Sequence, residues 1–356
     1  MMETRSDNRK LVYILVIVFF ILVFPVVAQK ININSFNVAI GNLITHNSLQ
    51  NFSTIFISIL LEGFPFIILG TFISSLIHVF ISEEKIAAII PENKLVGSVF
   101  AALTGVFFPV CDCAIFPIVR RLIKKGMPLH IAVTFMLSVP LINPIVLFST
   151  YYAFSNNHKI IIMRVVFGFI SAIVIGNIIG TFENTNNIIR YDFHEGHHEH
   201  ECCHCHKHEN KHREHHVLFA EIVHVLEHTS MEFHDVGRLL ILGAFLSSML
   251  QTFVPKTCLI SIGHDKVISV LAMILMAFFL SICSQTDAFI ARSFLAQFTT
   301  GSIIAFLIFG PMIDLKNTLM IATTFKVSFI IKLILAIFIV CFSIGLGINC
   351  LLGGVL

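Results

Sequence analysis

Tryptophan is absent from this chain of 356 residues, and only four tyrosines accompany 36 phenylalanines. The anchors that Trp supplies at a membrane–water boundary must therefore come from Tyr, Lys and Arg. Charge is scarce too. Asp, Glu, Lys and Arg make up 12% of the residues, against roughly 25% in soluble globular proteins. A water-soluble core cannot use so much uncharged apolar surface, which excludes a soluble enzyme or binding domain. No basic stripe with interleaved aromatics is present, so nucleic acid is not an expected partner. A Walker A pattern is missing as well, and with it any built-in nucleotide motor. The apolar segments lack the alternation of barrel strands, which leaves helices as the spanning solution. Nor do the nine cysteines form a disulfide framework. Cys111, Cys113, Cys283 and Cys341 lie in or beside apolar runs, and Cys202, Cys203 and Cys205 lie in a histidine tract.

What is present is 56% apolar sequence arranged in long runs. The chain is expected to be an all-α polytopic membrane protein with about seven to nine crossings. Eighteen apolar residues, Leu11 to Ala28, follow Arg5, Arg9 and Lys10. That length spans a bilayer, and the basic front places the N-terminus in the cytoplasm. Val26-Val27-Ala28 also has the small residues of a signal-peptidase site, but the span length favours a retained helix. Of the 44 charged residues, 15 fall between 182 and 236. Four regions follow: an N-terminal helix and external loop (1–50), a first repeat (51–181), a cytoplasmic His/Cys-rich insert with an amphipathic helix (182–236), and a second repeat (237–356).

The repeat is visible in residues. Leu69-Gly70-Thr71-Phe72-Ile73-Ser74-Ser75-Leu76 recurs as Leu242-Gly243-Ala244-Phe245-Leu246-Ser247-Ser248-Met249. Cys111 matches Cys283, and Pro140-Leu141-Ile142-Asn143 matches Pro311-Met312-Ile313-Asp314, in the same order. Arg120, Arg121, Lys124 and Lys125 follow the first Cys motif and belong in the cytoplasm. The matching stretch from Phe289 to Gly301 carries only Arg292. This asymmetry favours inverted halves with broken or re-entrant helices, residues 95–119 entering and leaving on one side. Parallel halves, with 95–119 simply spanning, are the alternative.

Candidate site residues are the polar groups left inside apolar runs. Asp112, between Cys111 and Cys113, costs about 2.5–3.5 kcal/mol on insertion scales, so it is expected to face a cavity or a partner. Thiols at Cys-x-Cys spacing could bind a soft cation or metalloid; packing thiols and a helix-capping Asp112 are the bland reading. Cys283, Gln285 and Asp287 form the corresponding element, with Ser284 and Thr286 between them. Asn143 and Asp314 sit at proline-marked breaks, where freed carbonyls attract polar groups. Glu62, before Gly63 and Pro65, is a candidate proton-coupling carboxylate. Lys326 and Lys332 are expected to snorkel or pair with an acid. Between His194 and His216 lie ten histidines and Cys202, Cys203 and Cys205. In this tract His197, His198, His200, Cys202, Cys203, His204, Cys205, His206 and His208 are candidate ligands for Zn, Ni or Cu ions. No cofactor is otherwise required, and the expected partners are the lipid bilayer and a small solute. Val217 to Asp235 reads as an amphipathic helix along the membrane surface.

Gly63-Phe64-Pro65-Phe66 with Leu69-Gly70, Pro109-Val110-Cys111-Asp112-Cys113 and Pro140 through Val146 resemble the predicted permeases that include the ArsP-type organoarsenical efflux proteins. Cys283 through Phe294 and Phe309 through Thr318 share the likeness, which extends over roughly residues 50–350. The resemblance implies a multi-pass permease of a bacterial plasma membrane, in some bacteria paired with a second small membrane subunit. Gln285 departs from it, since family members often carry an acid there. The reading favoured is gradient-driven efflux of a small solute, such as a metalloid or organoarsenical, without enzymatic activity. A divalent-metal exporter fed by the His-rich loop is one alternative. A thiol or metal-sensing membrane subunit without transport is the other.

Overall fold

The computed structural model describes residues 46–80, 91, 93–108, 110–155, 157–183, 188, 214–253, 265–322 and 325–351. The expected first helix at 11–28, Pro109 and the His/Cys tract up to residue 213 lie outside them. The described residues form twelve α-helices and one short 3-10 turn. The first half runs α1 (His46–Phe80), α2 (Lys94–Thr104), the turn Gly105–Phe107, α3 (Asp112–Lys124), α4 (Leu129–Ile142), α5 (Pro144–Ala153) and α6 (His158–Phe182). The second runs α7 (Glu214–Phe253), α8 (Ile268–Leu280), α9 (Asp287–Ser293), α10 (Thr300–Met312), α11 (Leu315–Ile321) and α12 (Val327–Leu351).

Among the described residues, six segments are long and apolar enough to cross a membrane: Leu49–Ile77, Leu129–Ala153, His158–Phe182, Val225–Thr252, Thr300–Ile321 and Val327–Leu351. Two of them are interrupted. Asn143 ends α4 and caps α5, its Oδ1 accepting from the Ile145 amide at 2.8 Å, with Pro144 occupying the first helical position. Asp314 does the same between α10 and α11, accepting from the Asn317 amide at 2.5 Å. The stretch expected at 95–119 is two helices of 11 and 13 residues. At 1.5 Å per residue neither reaches across a hydrocarbon core of about 30 Å.

One boundary is drawn differently from the expectation. The amphipathic segment 217–235 and the span after 237 are a single 40-residue helix, α7. No proline interrupts it, and the chain has nothing at residue 236 to stop a helix. Glu232, within the segment expected along the membrane surface, is buried against Arg121 with a 2.7 Å ion pair.

Helix directions follow from their contacts. The Phe52 ring packs edge-on to Phe245 at 5.4 Å, Phe64 lies 6.0 Å from Phe233, and Thr229 Oγ1 donates to Ser75 Oγ at 3.0 Å. Later residues of α1 thus meet earlier residues of α7, and the two helices are antiparallel. At the other end of the chain Lys332 pairs with Glu183, and the Lys326 amide donates to the Ile188 carbonyl. That brings the end of α6 to the start of α12. Small residues set the close approaches, as expected where lipid removes the hydrophobic drive between helices. A Cβ on Gly301 would meet the Gly345 carbonyl at 2.1 Å, and one on Gly176 would meet Thr134 Oγ1 at 2.0 Å. The α10–α11 segment is buried throughout and forms the centre of the bundle. The exposed Ile, Leu and Phe of α1, α6 and α12 are its lipid-facing surface.

Candidate functional site

Two short helices, α3 and α11, point their first turns at one another, and a glycine of the repeat seats each. A Cβ on Gly70 of α1 would lie 2.6 Å from both Ala114 Cβ and the Ala114 carbonyl oxygen; one on Gly243 of α7 would lie 3.1 Å from Lys316 Cα. Each glycine therefore lets a long helix press on the residue two positions after an acid, Asp112 in α3 and Asp314 at α11. Ser74 follows Gly70 and donates to the Pro117 carbonyl at 3.2 Å. Ser247 follows Gly243 and donates to the Phe279 and Leu280 carbonyls at 3.3 Å, two of the carbonyls left unpaired where α8 ends. Ser281, the next residue, has φ 46°. This left-handed turn swings the chain toward Cys283.

Asp112 is 1% exposed. Its Oδ2 accepts from Asn317 Nδ2 at 2.8 Å and faces Lys316 Nζ at 3.7 Å; Cys283 Sγ lies 3.9 Å from its Oδ1. Cys113 Sγ is 3.9 Å from Asn317 Oδ1. Lys316 Nζ also stands 3.9 Å from Asp314 Oδ2, an oxygen that receives no hydrogen bond. Asn143 joins from the first half, its Nδ2 donating to the Val110 carbonyl at 3.2 Å. The structure thus gathers Cys111, Asp112, Cys113, Cys283 and Asp314 into one buried polar layer, with Asn143 bracing the segment that leads into it.

Asp287 goes elsewhere. Arg164 of α6 holds it in a fork, Nη1 to Oδ1 at 2.9 Å and Nη2 to Oδ2 at 2.7 Å, and also donates to Thr150 Oγ1 at 2.9 Å. Gln285 sits half-buried in the turn between Cys283 and Asp287. Glu62 is half-buried on α1 and accepts from Thr286 Oγ1 at 3.3 Å, at the rim of that turn. The histidine and cysteine candidates from His197 to His208 lie outside the described residues.

Sequence reasoning passed over Arg164, Lys316, Asn317 and the Arg121–Glu232 pair. The rule that singled out Asp112, an ionisable group inside an apolar run, applies equally to Arg164 in the 25 residues of α6. The same rule reaches Lys316, inside the Thr300–Ile321 segment, but its partners emerge only through the fold.

Cys111, Asp112 and Cys113 bring ligand-capable atoms within 4.8 Å of one another. A soft cation fits there poorly. Lys316 already places positive charge on the Asp112 carboxylate, and Asn317 occupies the same oxygen. Three thiols beside a carboxylate that already has ammonium and amide partners suit an uncharged thiophile better than a metal ion.

A family model, ArsP_1, described as a predicted permease, matches residues 48–350. The chain is similar to the UPF0718 protein YcgR of Bacillus subtilis, 43% identical over 294 residues, covering 83% of this chain and 95% of that protein. It is also similar to a Streptococcus mutans protein named as a subunit of a two-component membrane permease complex, 38% identical over 295 residues, with 82% and 94% covered. No solved structure matches. Together with the six apolar helices, these likenesses make the chain a multi-pass protein of the cell membrane.

Proposed function

The chain belongs to the ArsP_1 family of predicted permeases, and on that premise we propose that it exports a small, uncharged, thiophilic solute, a trivalent organoarsenical or related metalloid species. One observation carries this reading: the polar tips of the two halves meet at Asp112, where Cys283 and Asn317 of the second half contact the acid of the first. Such groups are costly inside a membrane and are kept where a solute passes. The thiols of Cys111, Cys113 and Cys283 supply soft ligands, and Asp112 holds them apart and oriented. The site residues assigned to the solute are these four, with Asn143, Gln285, Asp287 and Asp314 supporting the walls.

The two halves are read as inverted repeats that rock about this layer. The antiparallel packing of α1 on α7, which carry the repeated Leu-Gly…Ser-Ser motif, supports this. Depth supports it too. Arg121 lies nine residues beyond Asp112 and Glu232 eleven before Gly243, about 14 Å and about 16 Å along their helices. These distances support a position of the Arg121–Glu232 pair near the cytoplasmic boundary, with α3 returning to the side its basic residues mark. The name of the Streptococcus relative supports a second membrane subunit as partner.

Everted membrane vesicles from cells expressing the full chain, with and without a co-expressed partner subunit, test the reading. Vesicles should accumulate a trivalent phenylarsenical without ATP. Replacing Cys111, Cys113 and Cys283 together by Ser should lower accumulation at least about tenfold, equivalent to about 1.4 kcal/mol. Equal uptake by vesicles lacking the chain, or full activity of the triple variant, sinks the thiol reading.

A further inference from the structure

Among the described residues, beside the Arg121–Glu232 pair, two ionic clusters are buried deeper in the bundle, and they differ in charge parity. Arg164 and Asp287 are matched one to one. Both carboxylate oxygens accept from the guanidinium, so the pair is neutral without a further proton. The other cluster holds two carboxylates, Asp112 and Asp314, and one ammonium, Lys316. Fully ionised it bears one uncompensated negative charge, with all three side chains at most 4% exposed. An unpaired charge at such depth is strongly unfavourable, and one proton removes it.

The geometry also says where the proton sits. Asp112 Oδ2 already faces the Lys316 ammonium and the Asn317 amide. On Asp314, Oδ1 is committed to capping α11, while Oδ2 is buried without any hydrogen-bond donor and 3.9 Å from the lysine. That orphaned oxygen becomes satisfied once it carries a hydrogen itself. Among the described residues, the surrounding elements add no compensating cation. The first turn of α3 contributes only Cys111 and Cys113 beside Asp112, and the turn after α8 contributes Cys283. At its contact with Lys316, α7 presents Gly243, and α10 ends in Met312 and Ile313.

We propose that Asp112, Asp314 and Lys316 together hold one exchangeable proton, and that this proton is the coupling ion of the permease. The proposal rests on the transporter reading. Glu62, half-buried beside Thr286, whose amide bonds the Cys283 carbonyl at 2.9 Å, stands at the rim and not in the cluster. When the two halves part at Asp112, the lysine can neutralise only one acid, and the proton shared by the three leaves to the open side. On the cytoplasmic side the departing proton makes way for cargo, and once the cargo has left on the outer side the cluster takes a proton from outside, so one proton enters for each cargo exported.

Infrared difference spectroscopy of the purified full chain in lipid nanodiscs, titrated from acid to alkaline without cargo, tests the count directly. The wild type should show one protonated-carboxyl band per molecule that Asp314→Asn and Asp112→Asn each abolish. Lys316→Met, which leaves two acids and no cation, should double that band. Choline replaced by sodium at constant ionic strength should leave the spectra unchanged. The proposal is overturned if both Asn variants keep the wild-type band, if Lys316→Met fails to gain one while remaining monodisperse, or if sodium displaces the band. Since no arsenical is present, such a result leaves the cargo measured in vesicles untouched, and failure in vesicles leaves the proton count untouched.

Discussion

Arg164 is fully buried and spends its guanidinium on Asp287, Thr150 and the Ser284 carbonyl. It ties α6 of the first half to the start of α9 in the second. Removing either partner leaves a naked charge, a loss of about 3–5 kcal/mol for buried pairs. Arg164→Met should therefore lower the thermal unfolding temperature of the detergent-solubilised protein sharply. Arg164→Met with Asp287→Leu should recover much of it, because no charge remains to be stranded. If the double variant is as unstable as the single, the pair is not the source of the loss. At this scale the sequence is half legible. Asp112, Asp287 and Asp314 stand out as acids in apolar runs, but their partners lie 123 residues away for Asp287 and 205 for Asp112. No local pattern carries that pairing. The charged groups are therefore visible in the sequence, and which of them answer one another is not.

At the scale of elements, the close approach of long helices to short ones sets the site. Gly70 has backbone atoms of Ala114 under 3 Å from where a methyl would stand, whereas Gly243 has Lys316 Cα at 3.1 Å. Backbone must move in the first case and only settle by a few tenths of an ångström in the second. Gly70→Ala is expected to destabilise by about 1–3 kcal/mol and to abolish vesicle transport by shifting Asp112 from Asn317. Gly243→Ala should cost visibly less on both measures. Thermal unfolding and phenylarsenical uptake of the two variants, compared side by side, decide it; the reverse order would mean that α11, not α3, is the tighter seat. The repeated Leu-Gly and Ser-Ser positions were readable as a repeat, but what the glycines press against was not. Hydropathy also could not foretell that α7 runs unbroken through residue 236, since burial of Glu232 depends on Arg121 from another helix.

For the whole molecule, orientation is the remaining physical question, and the charge distribution makes it testable. Asn93 lies just before α2 and the turn at Gly126 just after α3. In the re-entrant reading both face the cytoplasm; in a spanning reading they face opposite sides. A single cysteine at each position, in a background lacking the natural ones, should be labelled by a membrane-impermeant maleimide in everted vesicles and protected in intact cells. Opposite labelling of the two would replace inverted halves by parallel ones. Positive charge after α3 was enough to raise this question from the sequence alone, because lysine and arginine placement is set by insertion and needs no tertiary contact.

The five cysteines among the described residues are all free, four buried and Cys350 exposed. The natural protein consequently carries its own chemical clock. Cys350 reports that reagent has arrived, and Cys341, fully enclosed between helices, reports that the bundle has not come apart. In the proposed cycle, buried Cys111, Cys113 and Cys283 react only in the interval when the central layer is open. Peptide-resolved mass spectrometry of alkylation times would then measure how often one molecule turns over between its two faces, with no residue altered.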